Sequence, residues 1–221
     1  MITTAAEHPL RSSATSEALW NAELQRQRPW LPSRGPLVVV APYADDVALA
    51  AGGLLRSWAE VGYPARVLCV CEGAFASAAS SAPLRSPRSA LQILGGQHLD
   101  CEMLGFDAAT LESERPRLES MLQDRIAPGS TLIAPLESDG DPARATVGRA
   151  CRRVARQGNL TLARYPIRGW RRLKPTAFRG AAWGRFELHP RVLAVKRLAI
   201  RCLGAGADLD SFERPYEAFL L

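Results

Sequence analysis

Two short stretches of this chain hold side chains able to do chemistry. One is Ala41-Pro42-Tyr43-Ala44-Asp45-Asp46, and the other runs from Pro135 through Asp139-Gly140-Asp141-Pro142-Ala143 to Arg144. Adjacent carboxylates at the head of an apolar segment read two ways. Either one caps the free N–H groups of a helix, whose dipole favours negative charge there, or one is a metal ligand beside a general base. A cap needs one Asp, and the second repels the first, so the residues alone leave both readings open. Tyr43 is neutral near pH 7, and Arg144 is a permanent cation that only donates. Asp45, Asp46 and Asp141 could also offer hard oxygen ligands to Mg²⁺, Mn²⁺ or Ca²⁺. Arg144, one helical turn from Asp141, would repel such a cation. The three histidines, His8, His98 and His189, read as structural or exposed.

Elements that could position these turns follow from the pattern. Leu37-Val38-Val39-Val40-Ala41 is a continuous apolar run, as in a strand buried on both faces. A polar turn then leads into an apolar helix over 47–61. Further strands are expected over 66–71, 99–104, 131–135 and 160–165, with helices over 88–94, 111–126 and 143–157, and a long Ala/Ser/Pro-rich loop over 73–87 that could form a lid. Residues 170–188 suggest two short strands, 190–203 a basic helix and 216–221 a last strand. Strand–helix alternation at this spacing predicts a Rossmann-like three-layer α/β domain with a mainly parallel sheet. In such sheets ligands sit beyond the carboxyl ends of the strands, where the strand order reverses. Gly52-Gly53 and Gly95-Gly96 lack phosphate-loop spacing and read as close helix–sheet packing. Cys69 and Cys71 alternate on one strand and are expected on one face, in the core.

Composition narrows the class. The chain has 221 residues, 47% of them hydrophobic and 23% charged, which suits one soluble globular domain. Lys+Arg 28 against Asp+Glu 22 gives +6, and only Lys174 and Lys196 are lysines. The charge is segregated: residues 1–140 hold 11 basic and 16 acidic groups (net −5), and residues 141–221 hold 17 and 6 (net +11). Codon usage explains arginine over lysine but not the segregation. Either the basic half meets an anionic partner, or its arginines pair with the acidic half across the fold. Basic clusters interleaved with Trp170, Trp183 and Phe186 suit phosphate contacts and stacking, yet equally a solvated helix face with core aromatics. No nucleic-acid-reading motif is present. Five cysteines without a CxxC fit buried thiols in a reducing compartment. Without a signal-peptide pattern or a run of ~20 apolar residues, the expected location is cytoplasmic.

From Pro36 to Leu221 the sequence resembles the PIG-L/LmbE-like N-deacetylases, zinc hydrolases that remove acetyl groups from N-acetylglucosamine-containing molecules. Val38-Val39-Val40-Ala41-Pro42 precedes the place of the family's His-Pro-Asp-Asp-Glu, and Ala51-Gly52-Gly53-Leu54 matches its glycine pair. Pro135 to Gly140 and Val147-Gly148-Arg149-Ala150 match the surroundings of its His-Pro-Asp-His, and Glu213-Arg214-Pro215-Tyr216-Glu217 its C-terminal strand. The resemblance implies a 36–221 domain behind a 1–35 extension made of a flexible lead-in and a short helix (16–28). It places Tyr43 and Asp46 at two zinc-ligand positions and Asp45 at that of the general base. Arg144 takes the position of the third ligand, and Asp141 that of a histidine that steadies the oxyanion or donates a proton. Asp46 is thus the one retained ligand. Zinc needs three protein ligands and an open position, so zinc is expected to be absent, and Arg144 is expected to fill the metal's place and pair with Asp46 or Asp45. Arg168, Trp170 and Arg172 fall where the family shapes its substrate pocket and are the candidate substrate-binding residues, with Arg144. The expected function is a divergent family protein binding or acting on a small anionic or glycosidic ligand, or a partner protein. The alternatives are an N-deacetylase with an atypical metal and a metal-free enzyme of other chemistry in the same pocket.

Overall fold

The computed structural model describes residues 17–71, 86–95, 99–178, 181–203 and 212–221. The expected loop over 73–87 falls almost wholly outside them, as do His8, Ser16 and His98. Seven strands form one sheet: β1 (Leu37–Ala41), β2 (Ala65–Cys71), β3 (Leu99–Phe106), β4 (Thr131–Pro135), β5 (Thr161–Tyr165), β6 (Trp183–Glu187) and β7 (Tyr216–Leu220). Their order is β3-β2-β1-β4-β5-β7-β6. The first five are parallel, and β7 is antiparallel to both β5 and β6. β1 is buried at every position because it lies between β2 and β4, with Leu37 opposite both Ala65 and Thr131.

Helices cover both faces, giving three layers. On one face α2 (Ala44–Glu60), α3 (Pro87–Gly95) and α7 (Pro190–Arg201) pack on Leu37, Val39, Ala41 and Phe219. On the other, α4 (Arg115–Arg125) and α5 (Pro142–Gln157) pack on Val38, Val40, Leu132 and Ala134. Alternate residues of each central strand thus feed two separate cores, each buried Val or Leu contributing roughly 1.5–3 kcal/mol. A third cluster forms where α1 (Glu17–Leu24) and α6 (Gly169–Arg172) meet β6 and β7, around Trp20, Trp170, Trp183 and Tyr216. α1, the helix of the 1–35 extension, is therefore built into the packing of the domain that follows.

Four sequence expectations change. Among its described residues the 170–188 segment holds most of α6, a 3-10 turn at Pro175–Phe178 and one strand, β6; Gly169 and Pro175 break the extended pattern. α4 starts at Arg115 rather than 111, because Pro116 is tolerated only in the first turn. α2 starts at Ala44, putting Asp45 and Asp46 in its first turn behind an extended Tyr43 that makes no side-chain cap. Cys69 and Cys71 lie in opposite cores, since β2 shifts register against β3 between them and the bulge turns Cys71 to the other face. Both are buried as free thiols.

Candidate functional site

The turns after β1 and β4 lie side by side at the point where the sheet order reverses, because the chain steps from β1 to β2 in one direction and to β4 in the other. Their side chains are set by helix starts. Asp141 is the N-cap of α5, its Oδ1 accepting from the Arg144 N–H at 3.1 Å, with Pro142 next in line. That cap aims Arg144 across the switch point at α2. The Arg144 guanidinium donates to both oxygens of Asp46, Nε to Oδ2 at 2.8 Å and Nη2 to Oδ1 at 2.7 Å. Arg144 thus pairs with Asp46, one of the two partners expected, in a two-pronged contact. Its Nη1 faces Asp139 Oδ2 at 3.5 Å and Asp141 Oδ2 at 3.8 Å, and the Tyr43 ring lies 5.4 Å from its Cζ. Asp46 is fully buried and Arg144 only 6% exposed.

Asp139 is the residue that sequence reading passed over as a site member. It is fully buried, with Oδ1 accepting from the N–H groups of Ile167 and Gly169 at 2.6 and 2.9 Å, and Oδ2 from that of Arg168 at 3.2 Å. One carboxylate therefore ties the segment after β5 to the Arg144 cluster. The signal was the Asp139-Gly140 pair, a turn type whose Asp side chain accepts backbone N–H groups and whose Gly takes φ +82°. Arg172 lies against that glycine, its Nη1 reaching the Gly140 carbonyl at 3.4 Å.

The other candidates fall into place around this centre. Asp45 is half-buried; its Oδ1 accepts from the Asp46 N–H at 3.1 Å, and it makes no ion pair among the described residues. Arg168 is exposed with its Nη1 3.8 Å from Asp141 Oδ2. Tyr43, Asp45, Asp141, Arg144, Arg168 and Arg172 thus gather at one end of the sheet. Trp170 does not join them as a rim residue. It is buried in the third core cluster, 4.9 Å from Trp20 and 5.9 Å from Trp183 between ring centroids, and its carbonyl accepts from Trp20 Nε1 at 2.7 Å. His189 caps α7 by accepting from the Arg191 N–H at 3.3 Å.

Burial, together with Asp45 and Asp139, pushes the Asp46 carboxyl up to about 7 against the pull of Arg144. Arg144 loses hydration on burial, yet its carboxylate neighbours hold its proton more firmly than usual. Burial and Asp141 raise the Tyr43 hydroxyl above its ordinary value. These residues do not fit a zinc ion. Both oxygens of Asp46 are taken by guanidinium N–H groups, and Arg144, at the third position, is itself a cation. The Asp45, Asp46 and Asp141 oxygen set fares no better for a harder cation, since Asp46 and Asp141 both face Arg144. Among the described residues no group of three His, Cys, Asp or Glu side chains is placed to hold a metal ion.

No protein-family model matches the sequence, and no curated protein does. Solved structures do share its architecture. The chain is 22% identical to a conserved protein from Thermus thermophilus, over 76% of this chain and 77% of that one, with a TM-score of 0.55. For the deacetylase of A40926 pseudoaglycone the values are 16%, 77%, 82% and 0.57. For the N,N′-diacetylchitobiose deacetylase from Pyrococcus horikoshii they are 12%, 89%, 81% and 0.51. No described helix is long and apolar enough to cross a membrane. With its five parallel strands, its switch point between β1 and β4 and these likenesses, the chain has the fold of the PIG-L/LmbE-like deacetylases.

Proposed function

We propose that this protein is a divergent PIG-L/LmbE-like family member that binds a small anionic, sugar-bearing molecule at the Tyr43–Asp141 end of the sheet and performs no zinc-dependent N-deacetylation. The observation that carries the reading is the guanidinium of Arg144 bound to both oxygens of Asp46. A fixed monovalent cation there balances the buried carboxylate but offers no coordination site to activate water. The sugar-bearing class follows the named deacetylases of this fold, and the anionic character follows Arg168 and Arg172, whose side chains stand exposed beside Asp141 and Gly140. Location in the cytoplasm belongs to the same reading.

The test is to restore the ligand set. Zinc titration of the double variant Tyr43→His, Arg144→His should reveal one site that the native chain lacks and that Asp46→Asn removes. Native protein that takes up one zinc, lost in Asp46→Asn, would overturn the proposal. A second reading, metal-free chemistry with Asp45 as base, is favoured by one observation: Asp45 is half-buried and free of ion pairs among the described residues. Acetate release from N-acetylglucosamine by chelator-treated protein, abolished by Asp45→Asn, is the outcome that selects it.

A further inference from the structure

Along α5 nearly every arginine has a carboxylate. Arg144 holds Asp46, Arg149 reaches Glu112 at 2.5 Å, Arg152 reaches Glu137 at 3.2 Å and Arg153 reaches Glu119 at 3.0 Å. Arg156 is the exception, exposed and without a carboxylate among the described residues. Next to it, from β5, comes Arg164. Its Nε is buried without a hydrogen-bond partner among the described residues. Burial of a donor in that state is unfavourable.

Arg156 and Arg164 line the same groove of about 570 Å³, with Arg152 beside them. The rest of its lining is Ala155, Leu160, Leu162 and Leu221 with one polar residue, Asn159. The volume falls in the range of small-molecule sites. The groove lies beside α5 and β5, and shares no lining residue with the cluster around Asp46. Glu137 is the carboxylate that faces this group, and it neutralises Arg152 alone at hydrogen-bond distance. Burial and the neighbouring Arg152 lower the proton affinity of Arg164, with only Glu137 opposing them. A helix C-terminus attracts a cation in its last turn, which accounts for one arginine at position 156 but not for a second one donated from the sheet.

We propose that this groove is a second ligand site, for a small phosphate ester with an apolar body. The phosphate oxygens would accept from Arg156, Arg164 and the free side of Arg152, and the apolar body would cover the leucines. A guanidinium trio matches the three oxygens of a phosphate monoester better than the two of a carboxylate. The adjoining surface adds Arg115, Arg149 and Arg153, three arginines that share the two carboxylates Glu112 and Glu119, and it contributes attraction only.

Isothermal titration of the full chain with phenyl phosphate tests this, using inorganic phosphate and sodium chloride as references. Phenyl phosphate should bind more tightly than phosphate, and its affinity should fall about tenfold or more in Arg156→Gln, Arg164→Met. Arg191→Gln, exposed on α7 across the sheet from α5, should leave it unchanged. Should the double variant fail to fold, Arg156→Gln alone, on the exposed face of α5, carries the test. Equal affinity in the native chain and the Arg156 variants, or loss of binding in Arg191→Gln, overturns the proposal. Sedimentation with phosphatidic acid vesicles that depends on Arg156 assigns the phosphate to a lipid headgroup; titration without sedimentation assigns it to a soluble ester.

Discussion

A guanidinium only 6% exposed has to be matched by carboxylates, and Arg144 has Asp46, Asp139 and Asp141 within 4 Å. Removing one partner of such a buried pair costs more than the pair itself contributes, because the other charge is stranded. Arg144→Met should therefore lower stability by about 3–5 kcal/mol. The loss should also depend on pH. Asp46 already sits near 7 in the folded chain, above the ordinary value of a carboxyl group. An acid whose folded pKa is raised binds more protons than the unfolded chain in that window, so stability falls as pH rises through it. Without Arg144 the window extends higher, so the variant should lose most above about pH 7 and least near pH 5, where Asp46 takes up a proton. Urea unfolding at both pH values checks this; an equal loss at each would show that Asp46 is not the stranded group. At this scale the sequence exposed Asp45, Asp46, Asp141 and Arg144, because their types are conspicuous beside two turns. It hid Asp139, whose role depends on the N–H groups of residues 167–169, some 30 positions away.

Asp141 and Arg144 are in place only because α5 seats closely on β4. Gly148 is the contact point: a Cβ there would lie 2.6 Å from the Pro135 carbonyl oxygen, a backbone atom that cannot turn aside. At Gly52 in α2 the nearest atom is Leu94 Cδ1 at 3.0 Å, the end of a flexible side chain. Alanine gains about 1 kcal/mol over glycine in helix propensity at either position. Overpacking against backbone should reverse that gain at 148, for a net loss of about 1–3 kcal/mol. Thermal unfolding should then rank Gly148→Ala well below Gly52→Ala, and the reverse order would show that α5 has freedom to shift on the sheet. Glu217 holds α2 from the other side. It accepts the Gly53 and Leu54 N–H groups at 2.7 and 2.9 Å and pairs with fully buried Lys196 at 2.6 Å. Hydrophobic runs and breakers made the alternation through β5 legible. They failed at 170–188, where α6 is too short for a periodic signal, and at Cys69–Cys71, where a bulge breaks the period-two rule that placed both thiols on one face.

The segregation of charge along the chain turns out to be the pattern of its folding. Acidic groups of the first 140 residues meet arginines of the last 81 through Asp46–Arg144, Asp139–Arg144, Glu112–Arg149, Glu137–Arg152, Glu119–Arg153 and Glu17–Arg214. Pairing across the fold thus absorbs much of the basic excess and leaves Arg156, Arg164, Arg172, Lys174, Arg191 and Arg201 without a carboxylate at ion-pair distance among the described residues. The same meeting of chain ends includes α1. Glu17 is bound by Arg214, Asn21 by the Tyr216 hydroxyl, and Trp20 sits 1% exposed against Trp170 and Trp183. Sequence periodicity showed a helix here but not its destination, because Trp170, Trp183 and Tyr216 are 150 or more positions away. If α1 is part of the domain, Trp20→Ala should cost about 3–5 kcal/mol, as for a core aromatic. The cavity opens beneath Trp170, one residue past Gly169, whose N–H is held by Asp139. The variant should therefore also loosen the 167–169 segment, raising amide hydrogen exchange there before global unfolding. An unchanged unfolding midpoint would make α1 an appendage. A lowered midpoint with protection at 167–169 intact would make it a brace for β6 and β7 that leaves the Asp139 tie, and the site, untouched.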